Sequence, residues 1–280
     1  MPAARRQFDS RLLEGSIVRS LVLLAVPIMG ANILQVAYQL VDAFWVGRLG
    51  ADAVAAVSIA MPLMFVLIAA GMGFAIAGTT LIAQYTGARD HAMIDHVAAQ
   101  TLLTILAVSV VLGALGFALA PWLLHLMQVT PNVFRNALSF IRVIFIALPF
   151  TFLYAMAQAL MRGVGEVKIP LYIVAATVVV NFLLDPVLIF GWFGVPALGV
   201  AGAAIATLIA QLMAASVALW LLFGGRYGIH VRWSGFKPDF ADTQTGTYTF
   251  PNGGFQIHVL VVLRNKAHGL VVGLQFFVAF

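Results

Sequence analysis

The chain is 280 residues long, 62% hydrophobic and only 9% charged, with a mean hydropathy of +1.03; this composition lies far outside that of water-soluble domains and places the chain in lipid. It has no cysteine, which excludes both a disulfide framework and a thiolate metal site. The net charge of +5 comes from basic residues scattered singly at the ends of apolar runs, not from the stripe or aromatic-interleaved patch of a nucleic-acid binder.

Arg5, Arg6 and Arg11 precede the first apolar run in the manner of a secretory signal. That run, however, passes Pro27 and continues to about Trp45 without a small-residue cleavage site, so it reads as a first spanning helix. Six segments supply the roughly 20 mainly apolar residues a span needs, at roughly 19–45, 53–84, 97–124, 137–161, 169–192 and 200–223. The fold class expected is therefore all-α, a polytopic six-helix membrane bundle over residues 1–237. Turn residues separate the spans: Gly47 to Gly50, Gly87 to Asp90, Thr130-Pro131-Asn132, Arg162 to Gly165 and Gly194 to Gly199.

If the helices alternate across the bilayer, Arg5, Arg6, Arg11, Arg19, Arg89, Arg162, Lys168, Arg226, Arg232 and Lys237 fall on one side, and only Arg48 and Arg135 on the other. The positive-inside rule then makes the N-terminus cytoplasmic. Beyond about Asp239 the pattern breaks, with a polar stretch followed by apolar runs at His258–Leu263 and Gly269–Phe280 that are too short to span. Residues 238–280 read as an aberrant, disordered or weakly structured tail. A re-entrant or interfacial segment would account for it, as would a shifted reading frame; the abrupt change of composition favours the frame shift.

Within the spans, Asp42 and Asp185 are the deeply placed carboxylates, and a charge in hydrocarbon is costly enough to imply a use. On the first helix Pro27, Ala31, Gln35, Tyr38 and Asp42 follow steps of three or four and share one face. Pro27 has no amide hydrogen and leaves the Leu23 carbonyl without its helical partner, which allows a bend or a plain packing kink. On the fifth helix Asn181 and Asp185 are i,i+4 neighbours, and Pro186 frees the Phe182 carbonyl beside them. Carboxylate, amide and carbonyl oxygens suit a hard cation such as sodium, and a desolvated carboxylate suits a proton. Polar bonding between helices is the bland alternative. Thr207, Gln211 and Thr177 are weaker candidates, and Arg142 in the fourth span is left to snorkel, pair with an acid or line a wet cavity.

The histidines lack metal-ligand spacing, so no metal site is proposed. Paired membrane aspartates could form a protease dyad, but the local Val41-Asp42 and Leu184-Asp185 sequences match no intramembrane protease motif. Catalysis is therefore not expected, nor is a cofactor other than a coupling ion.

Taken together, Pro27, Gln35, Tyr38, Asp42, Gly47, Leu49 and Gly50, then Gly71 and Gln84-Tyr-Thr-Gly87-Ala, resemble the opening helices of the multidrug and toxin extrusion (MATE) transporters. Arg162-Gly163-x-Gly165 followed by Pro170, then Asn181-x-x-x-Asp185-Pro186 and Gly199-x-x-Gly202 through Thr207, resemble that family's fourth to sixth helices. The resemblance covers roughly residues 12–237. It implies a twelve-helix protein of two six-helix lobes, of which this chain carries the first. By similarity to the DinF-like branch, Asp42, Asn181 and Asp185 would bind H+ or Na+, with Tyr38 and Thr207 assisting. Gln35, Pro27, Gln158 and Arg142 would border the substrate path; Gln158 stands where the family often has asparagine.

The resemblance thus implies an inner-membrane antiporter lobe that exports cationic amphipathic drugs, incomplete as a single chain. Its partners would be membrane lipids, small organic cations, a second lobe or second copy, and no nucleic acid. The alternatives are a flippase for lipid-linked saccharides, a reading favoured by intramembrane cations and opposed by the acidic pair, or an inactive truncated membrane protein.

Overall fold

The computed structural model describes residues 17–225 and 228–230 together with three strands in the C-terminal segment; Arg5, Arg6, Arg11, Arg226, Arg232 and Lys237 lie outside the described residues. Six long helices follow one another: α1 (Ile17–Gly47), α2 (Ala51–Gly87), α3 (His91–Leu126), α4 (Pro131–Gly163), α5 (Lys168–Phe190) and α6 (Val200–Phe223), with a 3-10 turn at Trp192–Gly194 between the last two. Each span expected from the sequence is present. Among the described residues α2 to α6 are long and apolar enough to cross a membrane, and α1, at 31 residues, has the length.

Several helices begin earlier than their apolar cores. The Asp90 carboxylate caps α3 by accepting from the Met93 amide at 3.1 Å, and Pro131 opens α4 where a missing amide hydrogen is harmless. Hydropathy marks the part of a helix inside hydrocarbon, about 30 Å thick, and misses the polar turns beyond it.

α4 is the hub, packing on α2, α3 and α6, while α1 packs mainly on α5 and α5 on α6. Lipid gives no hydrophobic drive between helices, so small residues that let backbones approach must do this. On α6, Ala206, Ala210, Ala214 and Ala218 recur every fourth residue and are wholly buried. A side chain at Gly113 of α3 would meet the Phe145 carbonyl at 2.8 Å, and one at Gly202 of α6 would collide with the Leu188 carbonyl of α5. Pro149 is what frees the Phe145 carbonyl of its helical partner, and the glycine opposite leaves it room. Interior prolines at Pro27, Pro62, Pro121, Pro149 and Pro186 give α1 to α5 one such site each.

The outward face of α1 shows Val26, Met29, Ile33, Val36, Leu40 and Phe44, all more than half exposed, as a helix facing lipid does. After α6 the chain turns back: Ile229 is buried and the His230 amide donates to Asp95 Oδ1 at 2.6 Å, fastening this segment to the start of α3.

Within 238–280, read from sequence as a weakly structured tail, the described residues form three strands: β1 (Gln244–Tyr248), β2 (Ile257–Leu263) and β3 (Leu270–Phe276). They make an antiparallel sheet in the order β1-β2-β3, with Thr247 opposite Leu260 and Leu260 opposite Gly273. Valine-rich runs of seven residues are too short for a spanning helix and suit strands instead.

Candidate functional site

The polar face of α1 lies against α5, and this brings the two sequence-distant carboxylates together. Asp42 is five residues before the end of α1 at Gly47, and Asp185 is five before the end of α5 at Phe190, so their depths match. The side chains of Asp42, Asp185 and Asn181 lie within hydrogen-bonding reach of one another. Asn181 and Asp185 are wholly buried. Both helices direct their C-terminal ends toward this site, so neither helix dipole favours the anions.

The hydrogen-bond inventory is lopsided. Asn181 Nδ2 donates to Asp185 Oδ1 at 3.3 Å. Asp185 Oδ2, Asp42 Oδ1 and Asn181 Oδ1 are buried oxygens that no donor among the described residues reaches. Buried acceptors are nearly always satisfied, so three of them in one place describe a receptor for something that brings positive charge. A proton shared by the carboxyls or a small hard cation held by carboxylate and amide oxygens fits that donor set.

The neighbouring side chains build a wall around the group. Tyr38, one turn below Asp42, donates to Thr207 Oγ1 of α6 at 3.2 Å and ties α1 to α6 beneath the carboxylates. Thr177, one turn below Asn181, turns its hydroxyl to the Val174 carbonyl at 2.7 Å. Gln211, one turn beyond Thr207, holds a buried Oε1 with no donor.

On the other side of the pair is an aromatic collar that sequence reading missed. Trp45 is buried among Phe44, Phe182, Phe190 and Trp192, with ring centroids 5.1 to 6.3 Å away. The Arg48 guanidinium stacks over Phe44 at 4.6 Å and Trp45 at 5.4 Å. The collar depends on a sharp turn after α5, made at Gly191, whose φ of +77° and close Val195 carbonyl exclude a side chain. The rings come from α1, α5 and the turn after it, so only the packing of the two helices brings them together.

The residues expected along a substrate path divide into two places. Gln35 and Gln158 share a cleft of about 170 Å³ between α1, α4 and the start of α5, bordered also by Asn32, Arg162, Pro170 and Val174. Pro27 is half-buried beside Ile28, which lines the same cleft. Arg142 is elsewhere: it lies at the α3–α4 interface with its guanidinium over the Phe117 ring at 5.0 Å. Asn32 and Arg162 were not singled out as site residues from sequence, because an amide among apolar residues and a charge at a helix end carry no signal of their own.

The MatE family model matches residues 27–187. The probable multidrug resistance protein YoeA of Bacillus subtilis is 40% identical over 70% of this chain and 43% of its own length. The multidrug export protein MepA of Staphylococcus saprophyticus is 27% identical over 72% of this chain and 44% of its own. The chain thus spans less than half the length of these relatives. Among solved structures, a MOP superfamily transporter from Pyrococcus furiosus, described as having a binding pocket of reverse polarity, superposes with a TM-score of 0.77 at 25% identity. The match covers 85% of this chain and 52% of that one.

Proposed function

This chain belongs to the MatE family, and from that premise we propose that it is the ion-binding six-helix half of a cation-coupled multidrug antiporter. It is an integral multi-pass membrane protein and, like its family, a transporter and not an enzyme. The coupling ion, H+ or Na+, binds at Asp42, Asn181 and Asp185, with Tyr38 and Thr207 fixing α1 and α6 around it. The observation that carries this reading is the set of three buried acceptor oxygens without a protein donor.

The proposed coupling follows from electrostatics. Two carboxylates in contact within a low-dielectric bundle repel strongly. A bound cation or proton removes that repulsion and holds α1 on α5; its release favours their separation. The exported compounds are cationic amphiphiles, with Pro27 at the bend of α1. Arg142 stacks on Phe117 at the α3–α4 interface, apart from the cleft that holds Gln35 and Gln158. The chain works with a second six-helix half or a second copy, in the inner membrane with its N-terminus cytoplasmic. The single-sided distribution of Lys and Arg supports that orientation.

The test is ethidium efflux from proteoliposomes of the protein paired with its second half, under an imposed H+ or Na+ gradient. One gradient should accelerate efflux, and Asp185→Asn should abolish that acceleration while leaving the protein folded. Acceleration that survives in Asp185→Asn overturns the reading.

A further inference from the structure

The cleft at the other end of the α1–α5 interface has the reverse character from the ion pair. Measured along α5, Pro170 at its wall lies fifteen residues from Asp185, about 22 Å by helical rise. Among the described residues its polar lining consists of Asn32, Gln35, Gln158 and Arg162, three amides and a guanidinium, with no carboxylate. Arg162 is half-buried at the end of α4, and its one hydrogen bond among the described residues runs from Nη1 to Gln158 Oε1 at a long 3.4 Å.

The acidic residue nearest in sequence is engaged elsewhere. Glu166 Oε1 accepts from the Lys168 and Ile169 amides at 3.0 and 3.2 Å, closing the first turn of α5. Two turns along α4 from Arg162, on the same face, the Tyr154 hydroxyl is buried and has no partner. A guanidinium offers five donors in a planar fork that matches carboxylate or phosphate, and only one weak bond is made here. The remaining walls, including Val174 and Pro170, are apolar.

We propose that this cleft binds the oxyanion head, carboxylate or phosphate, of an amphiphile, with Arg162 as its charge partner and the Gln158, Gln35 and Asn32 amides as further donors. The site is separate from the ion pair and stands whether or not the ion pair drives transport. Its volume admits a headgroup and the first part of a chain, so the apolar remainder extends along the α1 and α5 walls toward lipid.

The intact chain, purified in dodecyl maltoside, is titrated calorimetrically with octyl phosphate and, as a neutral control, octyl glucoside. Octyl phosphate binds more tightly than the control by roughly tenfold or more, the scale of one charge-assisted hydrogen bond. Arg162→Gln loses that preference, Arg162→Lys keeps part of it, and Asp42→Asn leaves it unchanged. Native mass spectrometry separates the sources: phospholipid retained by the wild type and absent from Arg162→Gln identifies a lipid headgroup, and octyl phosphate binding without retained lipid identifies a free amphiphile. Equal affinity for the two probes, or an Arg162→Gln protein that still prefers octyl phosphate, overturns the proposal. Should Arg162→Gln fail to fold, Gln35→Trp fills the cleft from an exposed position, and an unchanged preference in that variant overturns it equally.

Discussion

The two ends of the α1–α5 interface are built from the same helices and carry opposite deficits. At the end where α1 and α5 finish, Asp42, Asn181 and Asp185 present acceptors without donors. At the end where α5 begins, Arg162 and three amides present donors with no carboxylate beside them among the described residues. One end lies near the buried Trp45 ring and its aromatic neighbours, and the other opens into a cleft. A polar stripe in a membrane helix is therefore not one feature, because which partners the neighbouring helix supplies at each depth decides what the stripe can hold.

The comparison can be broken most severely at the carboxylate end. Asp185→Leu leaves Asp42 as a lone buried carboxylate beside Asn181, and cation binding measured by isotope dialysis should be lost outright. Binding unchanged by that substitution removes the contrast between the ends. Next in size, Gly202→Val drives a side chain into the Leu188 carbonyl and separates α6 from α5. Overpacking of this kind costs about 1–3 kcal/mol, seen as a lower melting temperature in detergent.

Smaller effects sharpen the contrast. Tyr38→Phe removes the hydroxyl bond to Thr207 and should cost about 0.5–1.5 kcal/mol in thermal stability while weakening ion binding without abolishing it. Glu166→Gln removes a charge from the first turn of α5 and should cost about 0.3–1 kcal/mol. The same substitution checks the open end: octyl phosphate affinity should rise slightly as a nearby anion disappears. A fall would mean that Glu166 helps to form the cleft.

The fold was readable from sequence because hydropathy and turn residues report directly on spans, and each expected span has its helix. The carboxylate pair was readable because aspartate in hydrocarbon is rare and because Asn181 and Asp185 repeat at helical spacing. The donor cleft was not: Arg162 at a helix end is indistinguishable in sequence from an ordinary topology charge. Arg142 was left open by the sequence, and its neighbour across the α3–α4 interface is the Phe117 ring. The strands within 238–280 escaped because a short apolar run in a membrane protein gives no periodicity long enough to classify.

By itself, then, the sequence determined the number and order of the helices and the polar face of each, because those depend on transfer of single residues between water and lipid. Tertiary structure alone decided that Asp42 meets Asp185, that Trp45 packs among rings of α1 and α5 and that Arg162 has no acid in its cleft among the described residues, because each depends on the register between helices far apart in the chain. That register is set by where Ala206, Gly202 and Gly113 let backbones touch, a matter of shape that hydropathy does not record.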